Sequence, residues 1–196
     1  MMKNLKLTTV QKWFALSLAV LFLGTTSCNQ AEENSSEETK IEVPSTTIQD
    51  ATFFGNTDAI KGHIAAKTDL NQKDDYGSTP MHIAATFGKT DVALLLIAGG
   101  ANLNEQSADG STPLHTAAFF GRTDIVKALL DNKADVTMRN SYNSTALESV
   151  SASFDEVKPI YDQLSKDLGP FGLKLDYDQL KANRPVIAEM ISNSIQ

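Results

Sequence analysis

The chain has 196 residues, a formal net charge of −7, 41% hydrophobic residues and 7% aromatic residues, a composition that excludes a disordered polymer and a multi-span membrane protein. Setting aside residues 1–27, whose charges are Lys3, Lys6 and Lys12, leaves 14 basic against 24 acidic residues, a net of −10. A protein so acidic lacks the basic footprint that polyphosphate binding needs, so nucleic acid is not an expected partner.

In chain order, the three lysines precede an apolar run, Trp13 to Gly24, that falls short of the roughly 20 residues of a membrane span. The small residues Thr25-Thr26-Ser27 follow, and then the single cysteine, Cys28. This is the layout of a secretory signal peptide over residues 1–27. The small residues ending at Cys28 resemble the lipobox of bacterial lipoproteins, although Thr25 stands where Leu is commonest. The resemblance implies lipidation of Cys28 and anchoring to a bacterial envelope membrane, periplasmic or surface-exposed. The plainer alternative is an ordinary signal peptide with an incidental cysteine. One cysteine excludes an internal disulfide or a multi-Cys zinc site, and acylation would consume its thiol.

Residues 28–45 are rich in Glu, Ser, Thr and Asn and cannot bury enough apolar surface to order themselves. They read as an acidic flexible linker with a reach on the order of 25 Å. The acidic stretch is also similar to surface-export signals of some Gram-negative lipoproteins, but a solvated spacer accounts for it more simply.

A repeat begins beyond the linker. Residues 75–88 (DYGSTPMHIAATFG) align without a gap on residues 108–121 (ADGSTPLHTAAFFG), which places Gly77 and Gly110, His82 and His115, and Gly88 and Gly121 each 33 positions apart. Thr79 and Thr112 can cap a helix whose first position is Pro80 or Pro113. Ala84-Ala85 and Ala117-Ala118 permit close helix approach, and Gly88 and Gly121 end the helix in a left-handed conformation. Val92-Ala93 with Leu95-Leu96, and Ile125-Val126 with Leu129-Leu130, predict a second amphipathic helix in each unit. Gly99-Gly100 closes the first of these, whereas Lys133 stands in the glycine position of the next.

The strings GSTPMHIAA and GSTPLHTAA, at this period, resemble the TPLHxAA signature of the ankyrin repeat family. The resemblance implies an all-α solenoid of helix-turn-helix units joined by β-hairpin-like loops. Residues 74–106 and 107–139 are the strongest copies. Upstream, Phe54-Gly55 and Asp69-Leu70-Asn71 keep the period, while Thr46 to Gln49 echo the signature faintly, as an N-terminal cap would. Downstream, residues 143–148 (NSTALE) replace GSTPLH, and Pro159 is expected in the first turn of that unit's second helix. About four units are thus expected over residues 46–168.

The remaining residues, 169–196, read as a C-terminal helical cap over the last repeat. Asp176 and Gln179 have capping-box spacing, and Asn183-Arg184-Pro185 is expected to restart a second helix with Val186, Ile187, Met190 and Ile191 on its apolar face. The stretch GLKLDYDQLKANRPVIAEMI is similar to a tail of bacterial ankyrin proteins.

Chemistry-bearing constellations are thin. His82 and His115 occupy a position whose imidazole is structural in the ankyrin pattern, and His63 reads as a solvated residue of an outer helix. No nucleophile elbow, phosphate-cradling loop or HExxH motif is present, so no enzyme activity, cofactor or metal is expected. Asp74, Asp75 and Asp109 fall on hairpin tips, where Asp is a turn residue.

The positions that ankyrin proteins use for binding map here onto tips and helix ends. At the tips these are Asp75, Tyr76, Ser78, Ala108, Asp109, Ser111, Ser141, Tyr142 and Ser144; at the helix ends, Phe53, Phe54, Thr86, Phe87, Phe119 and Phe120. The column Phe54, Phe87, Phe120 reads first as repeat-to-repeat packing and second as an aromatic binding stripe, with Phe53 and Phe119 expected to be the more exposed. Replacing Tyr76, Phe119 and Tyr142 is expected to weaken capture of a partner without destabilising the fold. The expected function is a monomeric module that binds an unidentified protein. An inhibitor or immunity-type protein, and an enzyme or small-molecule receptor, are the alternatives.

Overall fold

A computed structural model describes residues 42–195. The predicted signal peptide, Cys28 and residues 29–41 of the predicted linker lie outside the described residues.

The repeat appears as pairs of short helices. They are α1 (Ile48–Phe54) with α2 (Thr57–Ala65), α3 (Pro80–Phe87) with α4 (Thr90–Ala98), and α5 (Pro113–Phe119) with α6 (Thr123–Asp131). Each inner helix begins at a threonine with extended backbone, Thr47, Thr79 or Thr112. Pro80 and Pro113 occupy first-turn positions, where no amide is needed. The inner helices α1, α3 and α5 stack on one another, and α2, α4 and α6 stack behind them. Ala51, Ala84, Ala85, Ala117 and Ala118 are fully buried between the layers, so the small residues of the signature set the close helix spacing. Ile60, Met81, Val92, Leu96, Leu114, Ile125, Val126 and Leu129 fill the rest of a continuous core.

The fourth unit departs from the sequence expectation. Its inner helix, α7 (Ala146–Ser151), stacks on α5, capped by Thr145 and Glu148. The helix that follows α6 in the outer layer is not α8 (Phe154–Leu168) but α9 (Tyr177–Ser194), which packs on both α6 and α7. The repeat therefore does not end at Leu168, and the tail supplies its outer helix.

The connection differs at one backbone position. Gly55, Gly88 and Gly121 end the first three inner helices near φ +71°, +65° and +66°, and that step turns the chain back into the outer helix. At the same period stands Phe154, which resists a left-handed conformation. The chain instead leaves α7 through extended Ala152, is recapped by Ser153 and starts α8 in a new direction.

Both prolines expected at helix starts lie inside helices. Pro159 is the sixth residue of α8 rather than a first-turn residue, and α9 runs unbroken through Pro185 instead of restarting there. An interior proline costs about 3 kcal/mol, which tertiary packing must offset. In α9, Leu180, Arg184, Ile187 and Ile191 are buried along one face while Pro185 is exposed. Lys67 and Lys133 take the left-handed conformation (φ +54° and +64°) that Gly100 adopts between them.

Because Ile187 is fully buried in this docked face, Ile187→Ala should lower the unfolding free energy by about 2–4 kcal/mol in urea titration. A loss below about 0.5 kcal/mol would show that α9 is not part of the core.

Candidate protein-binding surface

The hairpins that precede the inner helices are built by side chains bonding their own backbone. Asp74 Oδ1 accepts from the N–H groups of Tyr76 and Ser78, at 2.9 and 2.8 Å. Asn140 Oδ1 does the same for Tyr142 and Ser144, at 3.0 and 3.1 Å. Neighbouring tips are then joined backbone to backbone, Ala108 N–H to Tyr76 O at 3.2 Å and Ser141 N–H to Asp109 O at 2.9 Å. Glycine is required where the tips approach. A Cβ on Gly77 would stand 2.8 Å from the Ala108 nitrogen, and one on Gly110 2.8 Å from the Ser141 nitrogen.

Each tip is also tied to the preceding inner helix by an imidazole. His82 Nε2 lies 2.9 Å from Ser111 O, and His115 Nε2 lies 2.9 Å from Ser144 O. A carbonyl only accepts, so Nε2 carries the proton, and Nδ1 is free to accept from the Thr79 or Thr112 amide at 3.2 Å. Burial lowers both histidine pKa values below 6.5, against the opposing pull of the carbonyl bonds and of Asp109. His63 is not solvated as expected. It is buried, with Nε2 2.8 Å from Thr46 O and Nδ1 3.2 Å from Thr68 Oγ1, because the segment before α1 folds over it and presents a carbonyl that needs a donor.

The inserted helix α8 forms a second wall opposite the inner helices. Tyr161, fully buried, donates its hydroxyl to Phe119 O and accepts from Arg184 Nη1 at 3.0 Å. Arg184 is 3% exposed, and its Nη2 reaches Ser149 O at 3.3 Å and Ala152 O at 2.9 Å, carbonyls at the end of α7. Phe119 packs on Tyr161 with ring centroids 4.7 Å apart, and Phe154 continues the aromatic contact at 5.9 Å. Tyr177 donates to Asp162 at 2.9 Å, fixing the other side of α8.

Between α8 and the repeats lies a groove of about 540 Å³. Of the binding positions singled out from the sequence, it gathers Thr86, Asp109, Ser111, Phe119, Phe120, Tyr142 and Ser144. Asp75, Tyr76 and Ser78 lie outside its lining, on the next tip of the row. Val157, Ile160 and Leu164 of α8 form an apolar wall that the repeat pattern did not reveal. The signal for them was their spacing on one helix face, together with Phe154 in the place of a turn glycine.

Within the groove Asp109 is the one formally charged residue. Partial burial pushes its carboxyl up, but hydrogen bonds from Ser107 Oγ (2.7 Å), Ser111 N–H (3.0 Å) and Ser111 Oγ (3.1 Å) outweigh that and hold it below the ordinary value. It is ionised at neutral pH.

The phenylalanine column does not behave as one stack. Phe54 is 73% exposed, Phe87 half-buried and Phe120 buried at 8%. Phe53 and Phe119, expected to be the exposed pair, are half-buried, because Phe53 packs edge-on against Phe87 at 4.8 Å and Phe119 lies under Tyr161. Phe119 is therefore not a side chain that can be removed without destabilising the fold. Tyr76 and Tyr142 are exposed at 77% and 76%. Thr86 is half-buried at the end of α3, and its carbonyl accepts from Arg122 Nη2 at 2.9 Å.

Stacked helix pairs, linked tips and imidazole clips define a helical-repeat scaffold of the kind that presents a binding surface. Residues 48–140 match the family model described as ankyrin repeats in three copies, and this stretch belongs to the ankyrin repeat family. Ankyrin repeats indicate a protein–protein interaction module, and proteins built from them are generally non-catalytic. A search of the curated proteins finds no match to the chain.

The neutral histidines give the fold a pH signature. Their folded-state pKa lies below the unfolded value of about 6.5, so the unfolded chain binds protons first. Unfolding free energy should hold level above about pH 6.5 and fall as the pH drops below it. The slope in that window should shrink in a His82→Gln/His115→Gln double variant. An unchanged slope would assign the titration to other groups.

Proposed function

We propose that the protein is a non-catalytic interaction module, tethered by a lipid on Cys28 to a bacterial envelope membrane, that captures a protein on its hairpin-tip face. The observation that carries the reading is the row of linked tips. It holds Tyr76 and Tyr142 in the open on a rigid frame, and large exposed aromatics on a fixed backbone are the anchors that dominate interfaces. The anchor is supported by the sequence alone: a lone cysteine directly after an apolar run and small residues, followed by an acidic stretch suited to a tether. Among the described residues no helix is long and apolar enough to cross a membrane.

Two measurements test the reading. The unaltered chain should incorporate radiolabelled palmitate and partition into detergent, whereas Cys28→Ala should remain in the aqueous phase; equal partitioning would remove the lipid anchor. A secreted Cys28→Ala form should recover a protein from envelope extracts by crosslinking. In that form, Tyr76→Ala with Tyr142→Ala should cut recovery about tenfold or more at an unchanged melting temperature. Recovery of no protein, with tight binding of a metabolite instead, would overturn the interaction reading.

A further inference from the structure

The groove between α8 and the third and fourth repeats differs from the open tip row in shape and in charge. One wall is apolar, with Val157, Ile160 and Leu164 of α8 facing Phe119, and Ile160 remains 51% exposed. The other side carries the ionised Asp109, oriented by Ser107 and Ser111, with the exposed Tyr142 ring on the adjoining tip. No lysine or arginine lines the groove.

Resting on the interaction reading above, we infer that this groove takes a short peptide segment of a partner that pairs a basic side chain with an apolar one. The basic group pairs with Asp109 beside the Tyr142 ring, and the apolar side chain enters between Phe119 and Ile160. Charge decides the occupant. A guanidinium or ammonium would meet a fixed carboxylate and an aromatic face, both of which favour it, with no like charge in the lining. The chain's own segment 29–45 carries Glu32, Glu33, Glu37, Glu38 and Glu42 against the single Lys40, so it presents the wrong sign. A second copy of this acidic chain does so too. Volume agrees, since about 540 Å³ holds a few side chains and not a folded domain.

The test is a random dodecapeptide array probed with the secreted Cys28→Ala chain and with the same chain carrying Asp109→Asn or Ile160→Asp. Affinities of selected peptides are then measured by fluorescence anisotropy at two salt concentrations. The expected result is selection of peptides pairing Arg or Lys with Leu, Ile or Phe. Affinity should fall about fivefold with Asp109→Asn and about tenfold or more with Ile160→Asp, at unchanged melting temperatures and with weakening by salt. Because Ile160 is half exposed on α8, its replacement leaves the repeat core intact, and Asp109→Asn keeps the shape of the tip. Selection of acidic or uncharged peptides, or self-association on sedimentation, would overturn the assignment of the occupant. Peptides whose binding falls with Tyr76→Ala but with neither groove variant would overturn the groove while leaving the interaction reading intact. Failure of the unsubstituted groove to bind any peptide, together with failure to recover a protein from envelope extracts, would overturn both.

Discussion

One hydrogen bond, repeated, ties the layers of this protein together: an imidazole N–H reaching from an inner helix to a carbonyl of the following hairpin. His82 to Ser111 and His115 to Ser144 span the same sequence separation, and each histidine also closes the cap of its own helix. A single neutral ring thus fixes both the start of a helix and the distance to the next unit. A lysine could donate but not accept, and a carboxylate could accept but not donate, so the chemistry of the position is narrow. At the fourth unit Glu148 takes its place. It completes the cap of α7 by accepting from the Thr145 amide at 2.8 Å, but it has no proton to give at neutral pH and reaches sideways to Arg139 instead. The forward clip stops where the regular repeat stops.

What replaces the clip is a different set of bonds running the opposite way along the chain. Arg184, from α9, reaches back to the end of α7 and to Tyr161 of α8, so one buried cation holds three elements through neutral oxygens. A buried guanidinium bonded only to carbonyls and a phenol is costly to desolvate, and removing any acceptor leaves it short of partners. The position of α8, and with it the groove, depends on that cluster as much as on the repeats themselves.

The repeat portion of this architecture was legible because its constraints are local. Threonine caps, first-turn prolines, small alanine pairs and turn glycines each act within a few residues, and the period makes them mutually reinforcing. The tip residues were also readable, since Asp74, Asp109 and Asn140 act through turns of their own hairpins. Long-range substitutions were harder to see. Phe154 in a glycine's position was visible, but its effect is to release a helix whose docking depends on Arg184 and Tyr161, 23 residues apart. Helix α9 through Pro185 and the burial of His63 are likewise tertiary outcomes, in which packing overrides a local preference. The aromatic column misled for the same reason: identical positions in a repeat have equal surroundings only while their neighbours repeat too, and α8 covers Phe119 and Phe120 but not Phe54.

The detour through α8 also alters how the end of the stack assembles. Three residues, 120–122, separate α5 from α6, whereas 25 residues, 152–176, separate α7 from α9. Closing the longer connection costs on the order of 2 kcal/mol more in chain entropy if it is unstructured. The internal layers are made from near neighbours and can zip from any starting point, while the terminal layer waits for a distant segment to return. The same asymmetry applies in reverse. The asymmetry predicts that on heating the last layer opens first and exposes the end of α6 before the inner repeats loosen.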